Sequence, residues 1–454
     1  MIDFHTSVLF LILLTLLLVA TYNYYPPEPA AAKIARSRGG INIHDPSLKV
    51  EEVATGLRSP TAMAFLGPND ILVNEKLNGT VQRITNGKIQ PQPILDVSVA
   101  NKNERGMLGI AVAKPTTTNN SDSKSSSPTT YVFVSFTETK TEGSDICPRP
   151  NYCEPGHDPL GNRLYRYELV NNNSKLVNPK LLLDLPAVPG PGHNGGKIMI
   201  GPDNNVYFTI GDVGYRSQTQ NFANKPNSNG TSAIYRITQD GKPVKGIISD
   251  QDPLDKYYAY GLRNSYGLDF DPVTGKLWDT ENGPACCDEI NVVEPGFDSG
   301  WRVVEGFWEA KGTYGGKFTL NPSGLVDFDG KGKYSPPKFV FRNTTGPTAI
   351  KFLDSDKLGK QYQNDIFVAD YHGGNIYHFK LNQNRTSLIL NGSLADNVAD
   401  NAQELEGIKF VEGMGAITDL QVSPYDGYLY AVSFSEDLVF RIVPATVGNS
   451  TQSG

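Results

Sequence analysis

The chain has 454 residues, with 41 Lys and Arg against 48 Asp and Glu, a net charge of −7 and a pI near 5.5. A phosphate-binding surface needs a basic excess or a basic patch; neither is present, which argues against nucleic acid as a partner. Helix-favouring patterns are scarce while Gly (45) and Pro (31) are plentiful, a composition that suits many short strands joined by tight turns in a single long β domain.

Val8–Ala20 (VLFLILLTLLLVA) is an uninterrupted apolar run edged by Tyr22–Tyr25. It is short for a span of about 20 residues, so residues 1–25 read as a signal peptide or an uncleaved membrane anchor, and 26–49 as a linker. Asn-x-Ser/Thr sequons begin at Asn78, Asn119, Asn172, Asn229, Asn343, Asn384, Asn391 and Asn449. Together with the leader they favour an extracytoplasmic body, secreted or anchored to the outer face of the membrane, and open to glycosylation. Cys147 and Cys153 bracket a Pro-rich loop and Cys286 and Cys287 are adjacent. A disulfide closing the first loop suits an oxidising compartment, but four cysteines allow three pairings and the sequence does not choose.

From residue 50 to 444 one unit recurs: an apolar strand, a Gly/Pro/Asp/Asn turn, a second apolar strand, then a third ending in an Ile-x-Arg-Ile-like run. It appears as Phe65–Ile84 and, divergently, as Met107–Ala113 with Tyr131–Thr137 and Asn162–Leu169. It returns as Ile198–Gly211 with Ser232–Ile237, as Leu268–Asn282 followed by DEINVV, as Asn364–Leu381 and as Leu420–Ile442. Units of three or four short strands cannot bury their faces alone, and radial packing lets them cover one another. The expectation is an all-β, six-bladed propeller, with the Ser/Thr/Asn-rich Thr116–Thr130 as a surface loop and 445–454 as a polar tail. A pair of β-sandwiches is the rival, made less apt by the phrase shared across all six units.

In a propeller, loops at one end converge on the central channel, so polar residues at blade mouths are the candidates. His193 opens GHNGGKIMIGPDNNVYFTIGDVG and Asp212 closes it. A carboxylate accepting an imidazole N–H fixes the tautomer and raises the ring's basicity. Arg263 and Asn264 precede an apolar strand in YGLRNSYGLDF; an arginine there would bind a carboxylate or stabilise an oxyanion. In ENGPACCDEIN, the Gly283 and Pro284 carbonyls and the Asp288 and Glu289 carboxylates are oxygen donors of the kind a hard cation takes. Glu104 stands in NERGMLG. Each also has a bland reading: a turn histidine, a blade cap, an ordinary acidic turn.

At ERGMLGIAV, HNGGKIMIGPDNNVYFTIGD, YGLRNSYGLDFDP and ENGPACCDEINVV with GFDSGW the chain resembles the soluble PQQ-dependent glucose/sorbosone dehydrogenases, aldose sugar dehydrogenases included. The resemblance runs from about Val50 to Pro444 and implies a six-bladed propeller that oxidises the C1 hydroxyl of an aldose to a lactone. Hydride would pass to PQQ and electrons onward to an external acceptor. It implies His193 as the base, Asp212 as its support and a wall of the sugar site, and Arg263 and Asn264 at the quinone. Thr348 and His372 fall in the cofactor-binding set, Glu104 near the sugar, Gly283 and Pro284 on a calcium beside the cofactor, and Asp288 and Glu289 on a second, structural calcium. The chain departs from the glucose dehydrogenases in having Glu104 for a glutamine, Ala416 and Thr418 for two arginines, and His372 for a lysine. Three cationic contacts to a tricarboxylate are thereby missing, each worth about 1.5–3 kcal/mol where well made.

Two other functions share the scaffold. One is a non-catalytic extracellular propeller binding a protein or glycan, as relatives similar to Hedgehog-interacting protein do. The other is a calcium-dependent hydrolase or lactonase, which would want a ring of acidic and amide side chains at the channel.

Overall fold

The computed structural model describes residues 40–113, 129–141, 159–170, 172–214, 220–221, 228–309 and 324–445. The apolar leader, Cys147 and Cys153, the Thr116–Thr130 loop (but for its last two residues), the sequons at Asn119 and Asn449, and the polar tail beyond Ala445 lie outside them. Among the described residues no helix is long and apolar enough to cross a membrane, and the helical segments are short 3₁₀ turns.

The strands of the described residues form six sheets of four to six strands plus a two-stranded ribbon. The first sheet begins with Pro60–Gly67, the second with Met107–Ala113, the third with Ile198–Ile200, the fourth with Ser265–Phe270, the fifth with Pro347–Phe352 and the sixth with Ile417–Val422. Each of these opening strands lies against the opening strands of the sheets before and after it, and the sixth returns to the first. The fold is an all-β propeller. All six repeat units read from the sequence fall on these sheets, one unit per sheet.

Six apolar clusters fill the six gaps between neighbouring sheets. Leu72 and Val81 meet Met107 and Ile110; Ala111 and Phe133 meet Val206 and Phe208; Tyr207 and Ile234 meet Leu268 and Leu277. Trp278 and Ile290 meet Ile350 and Phe352, Phe367 meets Leu420 and Leu429, and Val432 and Val439 meet Ile71 and Val73. Alternate residues of a strand therefore serve opposite gaps. In Ile366–Asp370, Phe367 packs toward the sixth sheet while Ile366 and Val368 pack toward the fourth. Burial on both faces is why these strands read as continuous apolar runs instead of alternating ones.

Closure comes from the N-terminal side. Leu48–Thr55 pairs antiparallel with Leu438–Pro444, Leu48 opposite Pro444 and Thr55 opposite Leu438, completing the sixth sheet. The repeat pattern omitted this strand because its partner lies almost four hundred residues away in sequence. Asn42–Ile43 likewise edges the fifth sheet through Lys409–Glu412.

The channel centre is ionic. Lys197, just before the third sheet, meets Asp419 of the sixth across the ring at 2.5 Å, with side chains 10% and 1% exposed. Asp419 also accepts the Met63 amide at 2.9 Å. Lys351 of the fifth sheet pairs with Asp269 of the fourth at 2.9 Å, and Asp269 accepts the Phe352 amide at 2.8 Å. Breaking a buried pair leaves an uncompensated charge, at a cost of about 3–5 kcal/mol. Asp419→Ala is therefore expected to lower unfolding stability by about that amount, and Lys197→Met with Asp419→Leu to recover most of it, measured by urea denaturation. Equal loss in the single and double variants would remove the pair from this role.

Candidate active site

His193 lies between Lys175–Leu185, the last strand of the second sheet, and Ile198–Ile200. The segment packs backbone against backbone. A Cβ on Gly195 would sit 2.8 Å from the Thr209 carbonyl oxygen, and one on Gly109 would sit 1.9 Å from that of Gly196, so both positions require glycine. His193 itself has φ +60°, the left-handed region that a residue bearing Cβ enters only when its surroundings hold it there. The hairpin of Ile198–Ile200 with Val206–Ile210 then folds the chain back and brings Asp212 to His193. Nδ1 lies 2.5 Å from Asp212 Oδ1.

Asp212 is fully buried. Its Oδ1 also accepts the Gly214 amide at 2.9 Å, and its Oδ2 accepts the Trp301 indole N–H at 2.9 Å. Burial by itself would raise the carboxyl, but the imidazole, Gly214 and Trp301 outweigh it and hold Asp212 below its ordinary value. An ionised Asp212 makes Nδ1 the donor, so the imidazole keeps Nε2 as its acceptor.

Arg263 and Asn264 sit between Tyr257–Tyr260 and Ser265–Phe270. The Arg263 carbonyl accepts the Asp212 amide at 2.8 Å, and its own amide donates to Glu281 Oε1 at 2.6 Å. Its guanidinium stacks 5.6 Å from the Trp301 ring, and Nη1 donates to the Asn282 and Gly283 carbonyls at 2.6 and 2.7 Å. Asn264 Oδ1 accepts the Gly195 amide at 3.2 Å, and its Nδ2 donates to Glu104 Oε2 at 3.4 Å. Glu104 Oε2 also accepts the His193 amide at 2.5 Å. One hydrogen-bonded group thus unites His193, Asp212, Arg263, Asn264 and Glu104 from residues 160 positions apart.

Gly283 adjoins this group through Arg263, and the remaining candidates lie beyond it. Asp288 accepts three backbone amides, from Gly283 at 2.8 Å, Thr345 at 2.7 Å and Gly346 at 2.9 Å, so its oxygens brace two loops. The Thr348 hydroxyl is buried and donates to the Ile417 carbonyl at 2.6 Å, joining the fifth sheet to the sixth. His372 is exposed; its amide donates to Thr345 O at 3.1 Å, which links it to the Asp288 loop. Neither His372 nor Thr348 hydrogen-bonds to the His193 group. Thr418 donates to the Pro60 carbonyl at 3.2 Å, a tie between the sixth and first sheets.

Glu289 belongs to a buried acidic set. The register of Leu277–Glu281 with Cys286–Val293 puts Glu281 directly opposite Glu289, a like-charge pairing that is unfavourable when both are ionised. Burial foremost pushes Asp279 up to about 7, Glu281 to about 8, Asp298 to about 7 and Glu305 to about 9, and raises Glu289 well above its ordinary value. Glu289 Oε1 accepts the Gly306 amide at 2.6 Å, and Ser299 donates to Glu281 Oε2 at 2.5 Å. Both oxygens of Asp279, Asp298 Oδ2 and Glu305 Oε1 have no hydrogen-bond partner. Such oxygens are neutralised by protons or by a cation. No three His, Cys, Asp or Glu side chains among the described residues converge as a ready metal cluster.

Three contributors were not singled out from the sequence. Trp301, Glu281 and Lys76 all act on backbone or on another side chain. Trp301 and Glu281 do stand inside the GFDSGW and ENGP motifs. Lys76, buried, has its ammonium pushed down to about 8 by desolvation and donates to the Asn103 carbonyl at 2.6 Å. Cys286 and Cys287 are adjacent at the start of Cys286–Val293, with their sulfurs side by side.

Residues 57–437 match the family model described as Glucose / Sorbosone dehydrogenase. The chain is 21% identical over 400 residues to aldose sugar dehydrogenase YliI of Escherichia coli, covering 85% of this chain and 90% of that one. It is 27% identical over 282 residues to quinoprotein glucose dehydrogenase B of Acinetobacter calcoaceticus, covering 57% of this chain and 53% of the relative, about half of its length. The structure of the PQQ-bound aldose sugar dehydrogenase of Streptomyces coelicolor superposes with a TM-score of 0.59 at 22% identity, over 90% of this chain and 99% of that one, a likeness of fold. By the family match, the chain belongs to the glucose/sorbosone dehydrogenase family.

Proposed function

We propose that the protein is a quinoprotein sugar dehydrogenase, built on six blades, that oxidises the C1 hydroxyl of an aldose to the lactone. The observation that carries this reading is the joining of His193, Asp212, Arg263 and Asn264 into one hydrogen-bonded group. In the reaction the C1–H bond breaks with both its electrons, as hydride, while the O–H proton passes to His193 Nε2. Asp212 holds the tautomer and balances the imidazolium that forms. The Arg263 guanidinium, stacked on Trp301, supplies positive charge where a reduced, anionic acceptor would need it. The hydride acceptor is what PQQ supplies when bound.

These residues fit the reactive edge of a quinone. A carboxylate grip from the sixth sheet is not on offer, because Ala416 has no donor side chain, Thr418 is committed to Pro60, and Lys197 and Lys351 are ion-paired. Arg263 is the cation of the candidate set, and its Nη1 donates to the Asn282 and Gly283 carbonyls. That shortage favours the second reading, a non-catalytic propeller that binds a protein or glycan. A hydrolase ring is less supported, since Asp269 and Asp419 of the channel are held by lysines.

Calcium would have two places. The Gly283 and Pro284 carbonyls would hold one ion once the Arg263 guanidinium, which donates to Gly283 at 2.7 Å, is drawn away, and the buried carboxyls of Glu281 and Glu289, opposite each other in the fourth sheet, would take another as hard-cation ligands. An extracytoplasmic site of action is supported by the apolar leader and by exposed sequon asparagines at Asn172, Asn343, Asn384 and Asn391. If uncleaved, the leader would anchor the protein to the membrane, and electrons would leave to an external acceptor.

Loading the full chain with PQQ and calcium is expected to give aldose-dependent dye reduction, and His193→Ala to lower kcat by about 10²–10⁴-fold. Absence of PQQ binding at micromolar concentration would sink the dehydrogenase reading and leave the binder. A second expectation concerns the fourth sheet. Calcium alone should raise the melting temperature, by an amount equivalent to about 2.7 kcal/mol at a hundredfold excess over Kd, and Glu281→Gln with Glu289→Gln should abolish the rise.

A further inference from the structure

The segment Asn103–Arg105 grips the base-bearing loop at several points. Arg105, buried, donates through Nη2 to the Ala187 carbonyl and, at 3.1 Å, to that of Gly190, three residues before His193. Lys76 fastens the other side of the segment through the Asn103 carbonyl. Asn103 has φ +56°, so the chain is sharply turned immediately before Glu104. Pinned on both sides, the Glu104 carboxylate reaches the His193 amide at 2.5 Å and the Asn264 side-chain amide at 3.4 Å with the same oxygen, Oε2. The His193 backbone is in the left-handed region, where a non-glycine residue needs an external hold. The Glu104 bond is the one its N–H makes.

We infer that Glu104 is a positioning residue for the base: its carboxylate fixes the left-handed backbone of His193 and the amide of Asn264, and so aims Nε2 at the reacting hydroxyl. This goes beyond the sugar contact that the family resemblance implies for the position, and it rests on reading His193 as the base. The chemistry needs an acceptor at Oε2 more than it needs a charge, so a glutamine carbonyl should serve. Misplacement of a reacting group by about 1 Å costs about 10²-fold in rate, and the loss should fall on kcat because the ground-state sugar contacts stay intact.

The test uses the full chain with Glu104→Ala and Glu104→Gln, and two readouts. The first is hydrogen exchange at the His193 amide in the unloaded protein. The second is kcat and KM for D-glucose with PQQ, calcium and a dye acceptor. Glu104→Ala is expected to speed exchange at that amide by at least about 10-fold and to lower kcat by about 10–100-fold with KM within about threefold. Glu104→Gln is expected to restore both the protection and most of kcat. Unchanged exchange in the alanine variant overturns the inference, as does a raised KM at constant kcat, which would make Glu104 a sugar contact. If the parent protein oxidises no aldose, the proposed function fails while the exchange readout still decides the positioning role.

Discussion

Among the described residues each of the six larger sheets is covered on both faces by its neighbours, and that single constraint organises the rest. A sheet of this composition in isolation would present two apolar faces to water, each large side chain exposed at a cost of about 1.5–3 kcal/mol. Six sheets solve the problem only if the ring closes. Closure depends on Leu48–Thr55 meeting Leu438–Pro444, the two ends of the described chain. The two-faced burial of Ile366–Asp370 and Val206–Ile210 is a consequence of closure, and the apolar repetition along the chain is its sequence record.

The hub imposes the opposite requirement. Opening strands converge there, and charged side chains that face one another across the ring are largely buried. Lys197 with Asp419, and Lys351 with Asp269, show one solution: charges paired across or between sheets, each carboxylate also accepting a backbone amide. The candidate site follows the same rule at the mouth. Asp212, buried, is matched by imidazole, indole and amide donors, and that surplus of donors makes an ionised carboxylate possible beneath His193. The site's chemistry is thus a by-product of satisfying polar groups where sheets meet.

Much of this was legible in the sequence, for particular reasons. The six units could be read because strand–turn–strand phrases are local. His193 with Asp212 could be read because one hairpin separates them, and Arg263 with Asn264 because they precede a strand. Relations that cross the ring could not. The strand Leu48–Thr55, the Lys197–Asp419 pair and the Trp301 bond to Asp212 each join segments some ninety to four hundred residues apart, and no local pattern marks them. Asp288 has contacts that its motif did not announce. Its carboxylate accepts the amides of Gly283, Thr345 and Gly346. A short polar side chain beside free backbone donors satisfies them first.

The fourth sheet carries the remaining tension. Its register fixes Glu281 against Glu289, and its second strand buries Asp279, so folding confines carboxyls that water would otherwise ionise. Within the fold burial, with like charge from neighbouring carboxyls, raises their values and so favours the uptake of protons. A cation would be the alternative counterweight, and binding it would release those protons. Either way, the strand that ends in Glu281 also accepts the Arg263 amide. Arg263 in turn receives the Asp212 amide through its carbonyl. The neutralisation of one acidic cluster and the placement of the base's supporting carboxylate are therefore connected by two hydrogen bonds through a single residue. What balances charge in the fourth sheet bears directly on the geometry beneath His193.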